Sequence, residues 1–440
     1  MQLNARAVRR ISQDKNEPEW MFRLRLNALK IFSRMPLPKW QVPDLSEIDF
    51  DAISYYSPQK PAARRWEDVP KSIRAVYEKM GIPKAEQEML AGTVAQYQSS
   101  GVYENLKRQW ESKGVIFCSL DEALKRYPTL VRRYFTSVVP IYDNKFSALH
   151  YAVWSGGSFL YVPKGVDVSL PVQTYFYMKD KREGQFEHTL IIAEENSRAH
   201  YIEGCTAPVY DEHSLHSAVV EVVAKKHSSV RYTTVQNWSK NIYNLNTKRA
   251  RVGEGALMEW VGGSLGAKVS MLYPASVLEG KGARASHITL TLAPAGTVKE
   301  SGAKVIHAAP DTRSTIISKG ISMGDGRSVY RGLVKVLKGA KNSQCTVKCD
   351  SLLLDAHSKS ETYPYSDIRE TEGVVFTHEA SAGRVSEEQL SYMMSRGISE
   401  QDARMLFVTG FIKPVLNEVP LEYMVELTRF IHLEMENSVG

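Results

Sequence analysis

From Val138 to Val375 the chain is a succession of short β-rich runs, cut by Gly, Asn, Asp and Ser, with almost no helical periodicity. Ser158 to Val162, Thr189 to Ala193, Ala218 to Val223, Ser229 to Val235, Ile288 to Leu292, Thr315 to Ile317, Gly332 to Val336 and Thr346 to Leu354 are such runs. Strands recurring every 8–12 residues or so point to an all-β sandwich, barrel or solenoid. The region is long for one sandwich. A parallel β-solenoid, stacking coil on coil, fits the length better, although no strict repeat motif is visible.

The flanks read differently. Glu19 to Phe32 repeats apolar residues at helical spacing, and Pro36 and Pro38 stop it. Residues 37–66 have the composition of an extended connector. Val69 to Tyr77 and Lys84 to Gln98 read as further helices, and Ser119-Leu120-Asp121-Glu122 as a helix start. Ser386-Glu387-Glu388-Gln389 is a capping box, loosely repeated from Ser399, with Gly397 and Gly410 where helices would stop. Pro420 to Met435 closes the chain with an apolar face suited to core packing or to a partner. The expected division is a helical region over 1–136, a β core over 137–384 and a helical region over 385–440.

Composition excludes several classes. At 440 residues, 43% hydrophobic and 24% charged, the chain can bury a core without disulfides. The net charge of +7 comes from scattered Lys and Arg, so no nucleic-acid partner is expected. The charged opening from Met1 to Met35 argues against a signal or transit peptide, and no apolar run approaches a membrane span. A reducing, cytoplasmic setting is expected, where cysteines serve as ligands or nucleophiles.

Four cysteines occur: Cys118, Cys205, Cys345 and Cys349. The context of Cys345 and Cys349 favours a strand, on which their sulfurs would point the same way about 13 Å apart. One metal cannot span that, so each needs partners on another coil or is a buried inert thiol. His378 and Glu379 are adjacent, so on a regular strand only one of them can face Cys349. Cys205, between Gly204 and Pro208, reads as an accessible thiol at a turn. Glu203 has the wrong sign to activate it, so a cation must come from elsewhere in the fold. The glycine-rich stretches from Gly262 to Lys268 and from Gly320 to Arg327 lack phosphate-loop spacing and read as turns between strands.

Longer motifs carry a family resemblance. Asn16 to Met21, Gly184 to Ala193, Tyr201 to Pro208, Val235 to Trp238, Ser314 to Ser322 and Gln389-Leu390 with Arg396 to Ser399 resemble the SufB/SufD family of the SUF iron–sulfur cluster assembly system, on its SufB side. The resemblance runs over nearly the whole chain. It implies a right-handed parallel β-helix between helical ends, acting as a non-enzymatic scaffold. The implied partners are the ATPase SufC, which would hydrolyse ATP and dock on the C-terminal helical region, and SufD or a second SufB copy. The residue matching Cys205 would accept persulfide sulfur from a cysteine desulfurase system. The sulfur would then travel inside the β-helix past Gln236, Trp238 and Lys248. Cys349 and Glu379, with His378 beside them, would hold a nascent 2Fe-2S or 4Fe-4S cluster. Reduced flavin is a further cofactor of the family.

The chain departs from the family pattern in places. Thr377 stands where a glutamate often precedes the His-Glu pair, Tyr177 and Lys179 replace an Arg and an Asn at the tunnel entrance, and Cys345 has no family role. Two other readings compete: a cluster-free structural subunit like SufD, and a polysaccharide-acting β-helix enzyme, which would need a carboxylate- or Arg-lined groove.

Overall fold

The computed structural model describes residues 3–57, 90–178, 184–207 and 213–418, with positions 63, 66–69, 71, 74, 424, 428, 431, 432 and 435. The chain is mostly β: a β-solenoid of about seven turns with helices at both ends. Every β run anticipated from the sequence is a strand. Each coil contributes strands to two sheets, one of ten strands and one of twelve among the described residues. Successive coils stack parallel and in register, so Arg198, Ser229, Leu257, Arg284, Arg313, Gln344 and Val375 stand one above another. Their separation is about thirty residues, a repeat of length without a repeat of sequence. Turns between coils use Asn196, Asp311 and Asn342 at positive φ, a conformation that short polar side chains tolerate.

Three apolar layers follow. Inside, Val220, Val222, Tyr232, Ala250, Val305 and Val347 fill the space between the sheets. Outside the twelve-stranded sheet, Leu190, Ile192, Val219 and Leu245 are covered by Val8, Ile11, Met21 and Leu149. Those covering residues come from helices Ala5–Asp14, Glu19–Arg34 and Lys145–Val153. Arg25, fully buried, fastens this cap: it pairs with Glu17 at 2.6 Å and donates to the Trp154 carbonyl at 2.9 Å. Outside the ten-stranded sheet, Ile202, Val235, Leu290 and Ile321 are covered by Ala403, Val408 and Ile412 of helix Glu400–Leu416.

Several local expectations hold. The helix from Glu19 ends at Arg34, before Pro36. Ser119, Ser386 and Ser399 each cap a helix through the side-chain oxygen. Gly397, at φ +84°, follows the helix Glu387–Ser395.

Others are corrected. Gly92–Tyr97 is a strand, not the end of a helix: it is buried throughout and pairs with Ser100–Leu106 and Val172–Tyr177. Pairing on both sides overrides a weak helical pattern. Gly410 lies inside helix Glu400–Leu416, where the apolar face on the sheet carries the helix past it. Gly262 and Gly263 are in the strand Leu257–Gly266, and Gly320 in the strand Arg313–Ser322, while Gly324 and Asp325 make the expected turn before Arg327–Val336. Only Gly266 in the first stretch makes a turn, where a Cβ would stand 1.5 Å from the Trp238 carbonyl oxygen. The helices expected over 69–77, 84–89 and 420–435 fall almost wholly outside the described residues.

Ile316, 1% exposed, packs inside between coils. Ile316→Ala is expected to lower the unfolding free energy by about 2–5 kcal/mol. Lys359→Ala, on an exposed strand position, should change it by less than about 0.5 kcal/mol. Chemical denaturation midpoints measure both.

Candidate functional site

In-register stacking turns the inward side chains of the ten-stranded sheet into columns. One column is Tyr201, Tyr232, Trp260, His287, Ile316, Val347 and His378. The next is Glu203, Thr234, Gly262, Thr289, Ser318, Cys349 and Ala380, and the next Cys205, Gln236, Ser264, Thr291, Gly320, Ser351 and Ala382. Cys205 and Cys349 therefore face the same interior from neighbouring columns. Five strand spacings lie between their coils, about 24 Å at ~4.8 Å each. The positions between them are small or hydroxylic.

Cys205 is not at a turn and is not accessible. It lies within the strand Arg198–Thr206, paired with Phe176 on one side and Gln236 on the other, and is 3% exposed. Phe176, Met178, Trp238, Ile242 and Ala267 surround it. Burial pushes its thiol well above the usual range, and the carboxylates of Glu203 and Glu187 push it further; Lys248 works in the opposite direction. The cation that the sequence requires is thus Lys248, but its ammonium is committed to Glu203 at 2.9 Å. Burial alone would raise the Glu203 carboxyl; Lys248, Tyr232 and Thr234 outweigh that and bring it to about 2.

All four residues assigned to the first site converge. Gln236 donates to Glu203 at 3.4 Å and accepts from Asn244 at 2.7 Å. The Trp238 ring lies 4.4 Å from the His216 ring. His216 in turn bonds Asn244 at 2.7 Å and Glu187. Glu187, His216, Asn244 and Tyr232 were not anticipated, because their segments are far apart in sequence and only the coil register brings them together. Trp238 Nε1, Glu187 Oε2, Thr174 Oγ1 and Ser214 Oγ are buried without a hydrogen-bond partner. A cavity of about 40 Å³ opens from this site along the columns, lined by Tyr232, Thr234, Gln236, Lys248, Gly262, Ser264, Thr289 and Thr291 among others. Tyr177 stacks on Tyr97, and Lys179 lies outside the described residues.

The second group sits on the last two coils of the sheet. Cys349 Sγ is 3.2 Å from His378 Nε2, and the thiol donates to the Glu379 carbonyl at 3.7 Å. Burial, with the charge of Asp350, pushes the Cys349 thiol up to about 11; a hydrogen bond with Thr362 lowers it in part. Burial likewise holds the His378 imidazole below its usual value. Of the adjacent pair, His378 is the one that faces the thiol. The Glu379 side chain points outward, 69% exposed, 3.6 Å from Lys348. Cys345 faces inward beside Ser314 and Phe376, with the inward Val347 between it and Cys349 along the strand, and the two do not converge. Among the described residues, no three His, Cys, Asp or Glu side chains are close enough to hold a metal ion. No helix among them is long and apolar enough to cross a membrane.

Fold and site together define a helix-capped parallel β-solenoid with free thiols facing its interior. Comparison with known proteins agrees on what that class is. Residues 5–174 match the SufBD protein N-terminal region, and residues 176–411 match the SufBD core domain of the SUF system for FeS cluster assembly. Iron–sulfur cluster assembly SufBD family proteins of Staphylococcus aureus, strains MRSA252 and USA300, are 52% and 51% identical over 439 residues, covering 100% of this chain and 94% of theirs. A SufBD family protein of Staphylococcus epidermidis is 51% identical over the same span. The chain belongs to the SufBD family of the SUF iron–sulfur cluster assembly system.

The burial of Cys205 has a measurable consequence. Its alkylation by iodoacetamide should still be rising at pH 9, because the thiolate is scarce below that. Lys248→Met removes the cation that lowers the Cys205 thiol and should slow alkylation at pH 8. Peptide mass spectrometry at Cys205 reads the rate.

Proposed function

We propose that this chain is the SufB-type scaffold of its system, accepting sulfur at Cys205 and carrying a nascent iron–sulfur cluster at Cys349. The observation that carries the reading is the pair of in-register columns, with both thiols facing one interior and Cys349 against His378. In the first step the Cys205 thiol loses its proton and its sulfur attacks the outer sulfur of a donor persulfide. The donor S–S bond breaks, its cysteine leaves as a thiolate that takes up a proton, and Cys205 becomes the persulfide. The donor is a cysteine desulfurase system. Gln236, Trp238 and Lys248 line the onward path. No cysteine on this sheet stands between Cys205 and the Cys345–Cys349 strand, so sulfur moves as a species held by hydroxyls and Lys248, not from thiol to thiol. Each sulfane sulfur needs two electrons to become bridging sulfide, and reduced flavin is the proposed donor.

At Cys349 the cluster is the cargo. A thiolate and an imidazole are ligands of suitable type, and the chain presents these two inward. Glu379 is proposed as a carboxylate at the rim, reachable from outside. The remaining iron positions fall to a partner, SufD or a second copy, at the open end of the solenoid, where Tyr363, Tyr365 and Val375 are exposed. Tyr392, Met394 and Leu406 form an exposed apolar surface on the C-terminal helices and are the proposed contact for the ATPase SufC, in the cytoplasm.

Anaerobic reconstitution of the full chain with iron, cysteine and a desulfurase tests the reading by visible absorption. The wild type should develop iron–sulfur absorption, and Cys349→Ala should lose it. Cys205→Ala should keep its fold by circular dichroism but take up no labelled sulfur from the donor. A wild-type chain that never develops the absorption would favour a cluster-free structural subunit instead. Leu406→Glu should weaken SufC binding by about tenfold or more, as expected for an apolar contact worth over 1.4 kcal/mol, in calorimetric titration.

A further inference from the structure

The wall of the solenoid is broken at one place. In the twelve-stranded sheet, strand Ile242–Val252 pairs with Val269–Leu272 up to Asn246↔Leu272 and resumes with Ala275–Leu278 at Arg249↔Ala275. Tyr273 and Pro274 interrupt the ladder opposite Thr247 and Lys248. Toward the next coil the register is also interrupted between Leu272↔Ser301 and Ala275↔Lys304, with the Lys304 N–H donating to the Pro274 carbonyl at 3.0 Å. Pro274 has no N–H to give to the ladder, so the chain itself keeps the gap from closing.

The gap lies between two spaces. Asn246, Lys248 and Tyr273 line the interior cavity beside Gln236, and the same three residues line an outer groove with Trp40, Lys145, Arg249 and Lys304. These three residues are common to the walls of both spaces. The groove is cationic. Among the described residues lining it, the one carboxylate, Asp143, is taken by Arg249 at 2.7 Å, Glu300 beside Tyr273 is taken by Arg331, and Lys145 donates to the Phe32 and Met35 carbonyls. Lys304 is half-buried and makes no ion pair among the described residues; burial lowers its pKa, and the charges of Arg249 and Lys335 oppose the pull of Asp143 on it. Asn246 Nδ2 is buried without an acceptor.

We propose that the break at Tyr273–Pro274 is a side port that admits small monoanions of the hydrosulfide class from the groove into the interior cavity, with Lys304 at its outer mouth and Lys248 at its inner one. Charge excludes free cations. Size excludes large anions: about 40 Å³ of interior space holds a few water-sized groups at ~10–15 Å³ each, and no phosphate with its shell. That an anion passes rests on the wall alone. That the anion is hydrosulfide rests on the sulfur-handling function proposed above.

Crystals of the full chain soaked in iodide separate the two claims. An anomalous peak is expected at the gap, against Lys304 Nζ, Asn246 Nδ2 or Lys248 Nζ. It should vanish in Lys304→Gln and return in Lys304→Arg. No peak at the gap, or one that persists in Lys304→Gln, overturns the port. Sodium hydrosulfide added to the soak should displace the iodide. A peak that hydrosulfide leaves unchanged retains the port and overturns hydrosulfide as its occupant.

Discussion

Everything in this molecule depends on successive coils stacking in exact register. Each inward residue has a neighbour above and below at about 4.8 Å, so chemistry is laid out along columns, not along the chain. Tyr201 stacks on Tyr232 at 5.0 Å between ring centres, and Tyr232 lies 5.1 Å from Trp260, because the register gives aromatic residues the same place in consecutive coils. The same register sets Gln236 beside Cys205 and Val347 beside His378. A slip of one residue in any coil would turn its column residues outward and break the interior at that level.

The interior is also where the cost of function is concentrated. Glu203 and Lys248 are both buried, and removing two charges from water costs several kcal/mol per ion, which their attraction offsets only if the remaining hydrogen-bonding positions are filled. They are: Tyr232 and Thr234 donate to Glu203, with Thr234 at 2.9 Å, and the Lys248 ammonium lies over the Tyr232 ring at 4.7 Å. This network holds a negative charge next to a thiol and keeps that thiol protonated. Such an arrangement is a poor one for a free-standing nucleophile. Under the proposed function, it suits a sulfur that should react only when a donor is docked.

Much of the fold was legible because period-2 runs and turn residues are local signals. The eight runs named between Ser158 and Leu354 and the caps at Ser119, Ser386 and Ser399 follow from such signals. What failed depended on distant partners. Gly92–Tyr97 is a strand because two others pair with it. Helix Lys145–Val153 was missed because Phe146 to Val153 are buried on every side, which erases the amphipathic pattern. In the site, the spacing of Cys345 and Cys349 and the opposite facing of His378 and Glu379 were readable from strand geometry. The burial of Cys205 was not, since Gly204 and Pro208 mimic a turn. The Glu187–His216–Asn244–Gln236 chain joins three strands and the link before His188, and nothing short of the coil register could predict it.

The difference between the two thiols bears on where a cluster can form. Cys205 has paired coils on both sides and is packed among Phe176, Met178 and Trp238, and the interior cavity that begins beyond it at Gln236 is about 40 Å³. That admits single sulfur species but not an assembled cluster with several iron and sulfide ions. Cys349 lies one coil from the end, and on the final strand, Val375–Arg384, most side chains are exposed. Under the proposed function, sulfur can be conducted inside but the cluster must be built where the stack stops. There the chain offers a thiol and an imidazole from within and leaves the remaining positions to others. A site with two internal ligands holds its cargo less firmly than four thiolates would, and its position at the open end gives that cargo a way out without unfolding a coil.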